Sequence, residues 1–197
     1  MLNVVAVGSS LLEVRLLDRL AAGETLPDSQ LEANDTRQMM IGMAQFALFV
    51  ACIVTFILWL HRAYANVDAI SPPYRRYDKG WAIGAWFVPI LNLFRPKQIV
   101  NDVWRSGQPP YQRPPWWLGL WWLGWLVSNV LGRIAFPNLD EDATLPELRQ
   151  DSINFMIADG FHVAVLALAI LTIRVTTRRQ QARADAIAAE PRSPAPA

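Results

Sequence analysis

The sequence predicts an all-α fold, a polytopic membrane helix bundle of four spans, the first of them truncated, with a re-entrant or interfacial cytoplasmic segment. Three observations support this prediction. The chain is 53% hydrophobic with nine Trp, which is typical of membrane proteins. It contains apolar stretches long enough to cross a bilayer. Its Lys and Arg residues are concentrated in alternate loops. We predict a single membrane domain over residues 1–177 and a partly disordered cytoplasmic tail over residues 178–197.

The first span is predicted over residues 1–17 and is short. Only about a dozen residues precede Glu13 and Arg15, whereas a full span needs about 20 apolar residues. We interpret this stretch as the C-terminal part of a first span. A secretory signal peptide fits less well, because no basic region precedes the apolar residues and no good small-residue cleavage site follows them.

Residues 39–60 form the clearest span, because their sequence, MMIGMAQFALFVACIVTFILWL, contains no charge. At about 1.5 Å per residue, this stretch covers a hydrocarbon core of about 30 Å. The one cysteine, Cys52, lies inside it. The chain therefore forms no intrachain disulfide and no cysteine-based zinc site.

Two further spans are predicted over residues 116–136 and 153–173. The first begins with clustered Trp and carries its only charge, Arg133, near the other end. The second contains Asp159 and His162 but ends in an uninterrupted apolar run. We favour an interfacial belt plus helix packing over an aromatic cage for a quaternary ammonium ligand as the role of the Trp cluster, which comprises Trp116, Trp117, Trp121, Trp122 and Trp125.

The charges of the loops predict the orientation of the spans. Residues 61–115 carry eight Lys or Arg against three acids, and the tail after Ile173 carries five Arg against two acids. The loops 18–38 and 137–152 each carry five acids, with two Arg and one Arg respectively. Because Lys and Arg accumulate on the cytoplasmic side, we predict a multi-pass protein of the bacterial cytoplasmic (inner) membrane with both termini in the cytoplasm.

The stretch from Gly80 to Arg105, GWAIGAWFVPILNLFRPKQIVNDVWR, is apolar and rich in Trp but interrupted by Pro and polar residues. We predict that residues 80–106 form the re-entrant or interfacial segment. Interrupted backbone is tolerated at membrane depth only where protein or a water-lined recess satisfies its polar groups, so we expect a binding site here. The residues of this candidate functional or structural motif are Trp81, Trp86, Phe87, Pro89, Asn92, Arg95, Pro96 and Trp104.

After Pro96 the apolar residues follow the period of a helix, and Gly107 suits a helix stop. A helix of this length is too short to be stable alone in water. We therefore predict a short amphipathic helix supported by the bilayer surface or by the bundle. Its apolar face comprises Ile99, Val100, Val103 and Trp104, while Lys97, Asn101, Asp102 and Arg105 lie elsewhere.

This segment carries a family resemblance. Its core has the pattern W-F-x-P-x-x-N-L-x-x-P, formed by Trp86, Phe87, Pro89, Asn92, Leu93 and Pro96. With the flanking spans, up to about Thr177, it resembles the bacterial integral membrane family catalogued as domain of unknown function 4328. The resemblance implies four spans with the motif between the second and third, and it implies no activity. The chain departs from the family at its shortened N-terminus.

Polar residues inside the predicted spans form a second candidate group. Asn129 and Arg133 are spaced i, i+4, and Asp159 and His162 are spaced i, i+3, so each pair shares a helix face. We expect a buried pair between Arg133 and Asp159. A structural pair is favoured over a proton or cation relay, because only one acid and one His are available and no internal repeat is apparent. A metal site would need additional ligands.

The leading interpretation is an integral membrane protein of unknown molecular function that binds a partner protein or lipid through the Gly80 to Arg105 segment. The alternative is a small transporter or channel-like protein that uses Asp159, His162 and Arg133. The sequence contains no H-E-x-x-H or G-x-S-x-G motif, so catalysis is not expected and no cofactor or metal is predicted.

The predicted partners are the lipid bilayer and a protein partner or a second copy of the chain, with no nucleic acid. Anionic lipid headgroups are a further expected partner. The basic residues that would hold them are Arg75, Arg76, Lys79, Lys97 and Arg105.

Overall fold

The computed structural model describes residues 2–70, 75–107, 113–135 and 144–190, with side chains for all of these except Leu2 and residues 133–135. The described residues contain helices and no strand, which confirms the predicted all-α class. The helices are α1 (Leu2–Ala21), α2 (Asp28–Ala65), α3 (Val67–Ile70), α4 (Trp81–Gly84), α5 (Pro89–Asn92), α6 (Arg95–Ser106), α7 (Trp116–Ala135) and α8 (Leu145–Ala189).

Two helical stretches of the described residues, Asp28–Ile70 and Leu145–Ala189, are long and apolar enough to cross a membrane. The other two predicted spans coincide with α1 and α7. Met1 and Phe136, at the edges of these predicted spans, lie outside the described residues. Helix α8 continues past the predicted fourth span to Ala189, and the end of the predicted disordered tail, residues 191–197, also lies outside the described residues.

The chain divides into two compact units. The first unit comprises Met1–Cys52 with Leu123–Ala167, and the second comprises Ile53–Trp122 with Leu168–Ala197. Helices α2, α7 and α8 each contribute residues to both units.

Helix α1 in the first unit buries two serines and exposes four large apolar residues in its first twelve positions. Ser9 and Ser10 are buried. Val4, Val5, Leu11 and Leu12 are exposed. A helix at the surface of a soluble protein shows the opposite arrangement, with its apolar stripe facing the core. The exposed large apolar residues of α2 within this unit are Met39, Met40, Met43, Phe46, Leu48, Phe49 and Val50.

The second unit has a dense apolar core built around α6. Leu60, Tyr64 and Val67 are fully buried on the side of α2 and α3. Leu118 of α7 is fully buried as well. The predicted apolar face of α6 is confirmed, since Ile99, Val100, Val103 and Trp104 are all buried. Protein therefore covers this face, and α6 needs no lipid contact on it.

The prolines of the interrupted segment lie where a helix tolerates them. Pro89 begins α5, and Pro96 is the second residue of α6. Proline lacks a backbone N–H, and the first residues of a helix have no intrahelical partner for theirs. The segment is therefore a series of short helices, α4, α5 and α6, joined by tight turns at residues 85–88 and 93–94.

Candidate functional site

Arg95 lies between two aromatic rings at the start of α6. Its Cζ atom is 3.9 Å from the centroid of the Trp81 ring and 4.7 Å from that of the Tyr77 ring. A guanidinium over the face of an aromatic ring is attracted by the negative charge of that face. We call Arg95, Trp81 and Tyr77 the Arg95 site. Trp81 and Arg95 were predicted from the sequence, whereas Tyr77 was not.

Tyr77 is held by hydrogen bonds at its backbone and at its hydroxyl group. Its backbone N–H donates to the hydroxyl of Tyr64 at 2.8 Å, and its own hydroxyl donates to Oε1 of Gln98 at 2.6 Å. Burial raises the pKa of Tyr64 to about 12, so this hydroxyl stays neutral. His61 Nδ1 lies 3.1 Å from the carbonyl oxygen of Lys79 and holds the same loop to α2. These contacts hold Tyr77 and its loop against α2 and α6.

Polar atoms at the Arg95 site have unused hydrogen-bonding capacity. Nε and Nη1 of Arg95 are buried, and within the described part of the chain neither has a hydrogen-bond partner. Oδ1 of Asn92, at the end of α5, is also buried and has no hydrogen-bond partner among the described residues. Buried polar groups are normally paired, so these atoms are the least satisfied part of the Arg95 site.

The turns before Arg95 expose a cluster of large apolar side chains. Phe87 is 75% exposed and Ile90 is 72% exposed. The cluster, which we call the apolar loop surface, consists of Ile83, Phe87, Val88, Ile90, Leu93 and Phe94. An exposed contiguous apolar patch marks a surface that contacts protein or membrane.

Trp86 has a different role from its neighbour Phe87. Its ring packs edge-on against Phe56 at 5.7 Å and against Trp122 at 6.1 Å. Trp122 in turn donates from Nε1 to the carbonyl oxygen of Leu93 at 3.2 Å. Trp86 therefore holds the segment to α2 and α7, while Phe87 points outward.

Trp104 and two members of the Trp cluster of α7 also pack inside the second unit. The Trp104 ring contacts Trp117 edge-on at 5.6 Å, and the guanidinium of Arg179 lies 4.0 Å above it. Trp121 is buried, whereas Trp116 at the start of α7 is 78% exposed. Part of the cluster is therefore packing and part is surface.

Most of the basic residues expected to hold lipid headgroups have partners within the chain. Arg75 pairs with Asp68 at 3.1 Å. Arg76 and Arg105 lie 3.7 and 3.9 Å from Asp102. Asp102 was predicted to lie away from the buried face of α6 but is only 1% exposed, and the two arginines pair with it from more exposed positions. Burial raises the pKa of this carboxyl, and Arg76 and Arg105 oppose that rise.

Lys97 is half-buried and donates to Oδ1 of Asn101 at 2.8 Å. Burial, with a smaller effect of Arg105, lowers the pKa of Lys97 from 10.5 to about 8. Between about pH 8 and pH 10.5 the unfolded chain binds a proton that the folded chain does not, so stability rises with pH across this window. We expect Lys97→Met to raise the free energy of unfolding at pH 7 by roughly 1 kcal/mol after solvent screening. The variant should also lack the increase of stability with pH.

Thermal unfolding of the parent protein and of Lys97→Met, in detergent at pH 7 and pH 10, measures the effect of Lys97 on stability. Lys79, an exposed lysine, supplies the control, because Lys79→Met should not alter the pH dependence. An unchanged pH dependence in Lys97→Met would contradict the prediction.

Two of the polar residues predicted inside the spans, Asp159 and Asn129, form hydrogen bonds. Nε2 of Gln45 donates to Oδ1 of Asp159 at 2.9 Å, a contact that joins α2 to α8 and that was not predicted from the sequence. The Arg133 side chain lies outside the described residues, and so does the predicted pair of Arg133 with Asp159. Asn129 donates to the carbonyl oxygen of Trp125 on its own helix at 2.7 Å, and His162 is half-buried.

A polar network joins α1, α2 and α8 in the first unit. Oε2 of Glu13 accepts from Nε2 of Gln38 at 2.7 Å and from Oγ of Ser152 at 3.0 Å. Ser9 donates from Oγ to Oε1 of Gln38 at 3.1 Å and accepts from Nε of Arg37 at 2.9 Å. Neutral side chains thus connect the Glu13 carboxylate to the Arg37 guanidinium. This network gives the polar face of α1 a structural role.

A protein-family model described as Domain of unknown function (DUF4328) matches residues 22–178. The match runs from the loop after α1 into the last part of α8 and contains the whole Arg95 site. It confirms the resemblance drawn from the motif around Trp86 and Pro96. No curated protein and no solved structure matches the chain.

Proposed function

The chain belongs to the family described as Domain of unknown function (DUF4328), and from this premise we propose that it is a noncatalytic, multi-pass membrane protein that binds lipid through the segment Gly80 to Arg105. It crosses the bacterial inner membrane four times, through α1, α2, α7 and α8. Both termini are cytoplasmic.

One observation supports membrane immersion above all others, the reversed polarity of α1. Ser9 and Ser10 are buried, whereas Val4, Val5, Leu11 and Leu12 are exposed. In water this arrangement would leave large apolar side chains exposed, which is unfavourable. In a bilayer the same arrangement places the apolar side chains against lipid tails and shields the polar ones. The exposed apolar residues along α2 agree with this environment.

The apolar loop surface supports lipid rather than protein as the partner of the segment. The buried sides of α4 to α6 pack within the second unit, and large apolar residues such as Phe87 and Ile90 remain outside. The charge pattern assigns residues 61–115 to the cytoplasmic side. An apolar patch in that position inserts into the cytoplasmic leaflet, as amphipathic interfacial segments do.

Cysteine labelling tests the topology and the insertion together. In a Cys52→Ala background, we expect single cysteines at position 30 to react with an impermeant maleimide from outside and those at position 185 only after the membrane is opened. A fluorophore at position 90 should be quenched by lipids that carry a nitroxide on the acyl chain. Gln30 and Asp185 are exposed, so they report accessibility rather than packing.

Position 181 provides the matched control for insertion, since Gln181 is exposed on α8 and its fluorophore should respond only to a water-soluble quencher. If the fluorophore at position 90 responds to the water-soluble quencher as strongly as the one at 181, the surface is not inserted. A specific protein cross-link formed from position 90 would instead identify a protein partner and overturn the lipid assignment.

A further inference from the structure

The Arg95 site presents a rigid guanidinium whose charge has no acidic partner. Arg75, Arg76 and Arg105 of the same unit each lie beside an aspartate. Arg95 forms no ion pair with any described residue. A hydrogen bond from a charged donor to an anion is stronger than one to a neutral acceptor. Arg95 therefore carries a positive charge that an anion would neutralise, and because its Nε and Nη1 atoms are buried, the anion would meet the remaining edge of the guanidinium.

The surroundings of Arg95 define the kind of anion. The residue directly before it, Phe94, is exposed, as is Leu93, so exposed apolar residues directly precede Arg95 in the chain. Arg179 also stacks on an aromatic ring, but the exposed large apolar residues of the described part of α8 end at Leu171. A molecule with an anionic head and apolar tails matches both features.

We propose that Arg95 binds the phosphodiester of an anionic lipid in the cytoplasmic leaflet, with the acyl chains of that lipid against Leu93, Phe94 and the rest of the apolar loop surface. This proposal rests on the insertion of that surface into the leaflet. The Trp81 and Tyr77 rings hold the guanidinium plane, so little side-chain freedom is lost on binding. The planar guanidinium stacks on these aromatic rings, whereas the compact, strongly hydrated ammonium of a lysine would not be held in this way.

The test measures lipid binding to the purified full chain in detergent by native mass spectrometry. The probes are phosphatidylglycerol, phosphatidylcholine and inorganic phosphate. We expect the parent protein to prefer phosphatidylglycerol, and Arg95→Gln to weaken that binding about tenfold, which is the loss of one charge-assisted hydrogen bond. Phosphatidylcholine binding should not change. Arg95→Lys keeps the charge but should lose most of the preference.

Arg178→Gln is the matched control, because Arg178 is an exposed arginine and the substitution removes the same charge. It should alter phosphatidylglycerol binding less than twofold, which is within the effect of an exposed charge. An equal loss in Arg95→Gln and Arg178→Gln would show general electrostatic attraction and overturn the site. Should Arg95→Gln fail to fold, Arg95→Lys decides alone, and an unchanged preference in that variant would also overturn the site.

Two further outcomes separate this site from the proposed function. Inorganic phosphate that displaces phosphatidylglycerol at equal concentration would identify a soluble anion site and overturn the lipid assignment. If the protein shows no preference for phosphatidylglycerol while the nitroxide lipid still quenches the fluorophore at position 90, the Arg95 site is overturned and insertion is left standing. Loss of quenching at position 90 would overturn insertion itself.

Discussion

Replacing Gln180 by leucine is expected to lower the free energy of unfolding by about 2 to 3 kcal/mol, because buried polar groups would lose their partner. Gln180 is 8% exposed. Its Nε2 donates to the carbonyl oxygen of Ala63 at 2.9 Å and lies 3.4 Å from Oγ of Ser106. Helix α2 ends two residues after Ala63, where carbonyl groups have no intrahelical partner. Gln180 of α8 thus provides a hydrogen-bond donor for a carbonyl group at the end of α2 and links α2 to α6 and α8.

Gln181 supplies the control for this prediction. It is exposed and bonds only to Asp185, one turn further along α8, so Gln181→Leu should change stability by less than about 0.5 kcal/mol. Thermal unfolding of both variants in the same detergent, followed by near-UV circular dichroism, compares them directly. Equal destabilisation by the two substitutions would show that Gln180 is not a structural link.

The helices could be predicted from the sequence because their signals are local. The charge-free stretch 39–60 and the apolar period of residues 99–104 lie within single helices, so hydropathy and spacing suffice to find them. Pro96 and Gly107 bracket α6 for equally local reasons. The same signals established the all-α class and the buried face of α6.

The polar contacts between helices could not be predicted in this way. Gln45 and Gln180 are single polar residues in helices, and nothing near them in the sequence indicates Asp159 or Ala63 as their partners. Asp102 has a local partner in Arg105 at i, i+3, whereas its other partner, Arg76, comes from the loop before α4 and could not be foreseen from helix spacing. Such contacts depend on which helices pack together, and the spacing of residues along one helix does not show this.

The Arg95 site shows both situations. Trp81 and Arg95 were identified because they belong to an unusual apolar stretch. Tyr77 was missed because it lies in a polar linker, and its position depends on the buried Tyr64 hydroxyl and on Gln98. Arg95 itself was interpreted as an interruption of the apolar stretch. In the structure the same residue stacks over two aromatic rings.

Gly107→Ala is expected to destabilise the protein by about 1 to 3 kcal/mol through overpacking. Gly107 has φ −74° and ψ −12°, a conformation open to any residue, so backbone strain plays no part. A Cβ atom at this position would lie 2.9 Å from Cβ of Arg179 and 3.2 Å from its carbonyl carbon. Neither atom is the end of a flexible side chain, so α6 or α8 would have to shift.

Gly80 separates this steric reason from a general need for glycine at helix ends. It flanks α4 with φ −60° and ψ −26°, close to the values of Gly107, and an added Cβ meets no atom within 4 Å. Gly80→Ala should be neutral or slightly stabilising, since alanine loses less backbone entropy on folding. Destabilisation by Gly107→Ala alone, measured by thermal unfolding in detergent, would place the requirement in the approach of α6 to α8. Equal effects at both positions would show that glycine is required at helix ends in general, which is all that the sequence pattern indicated.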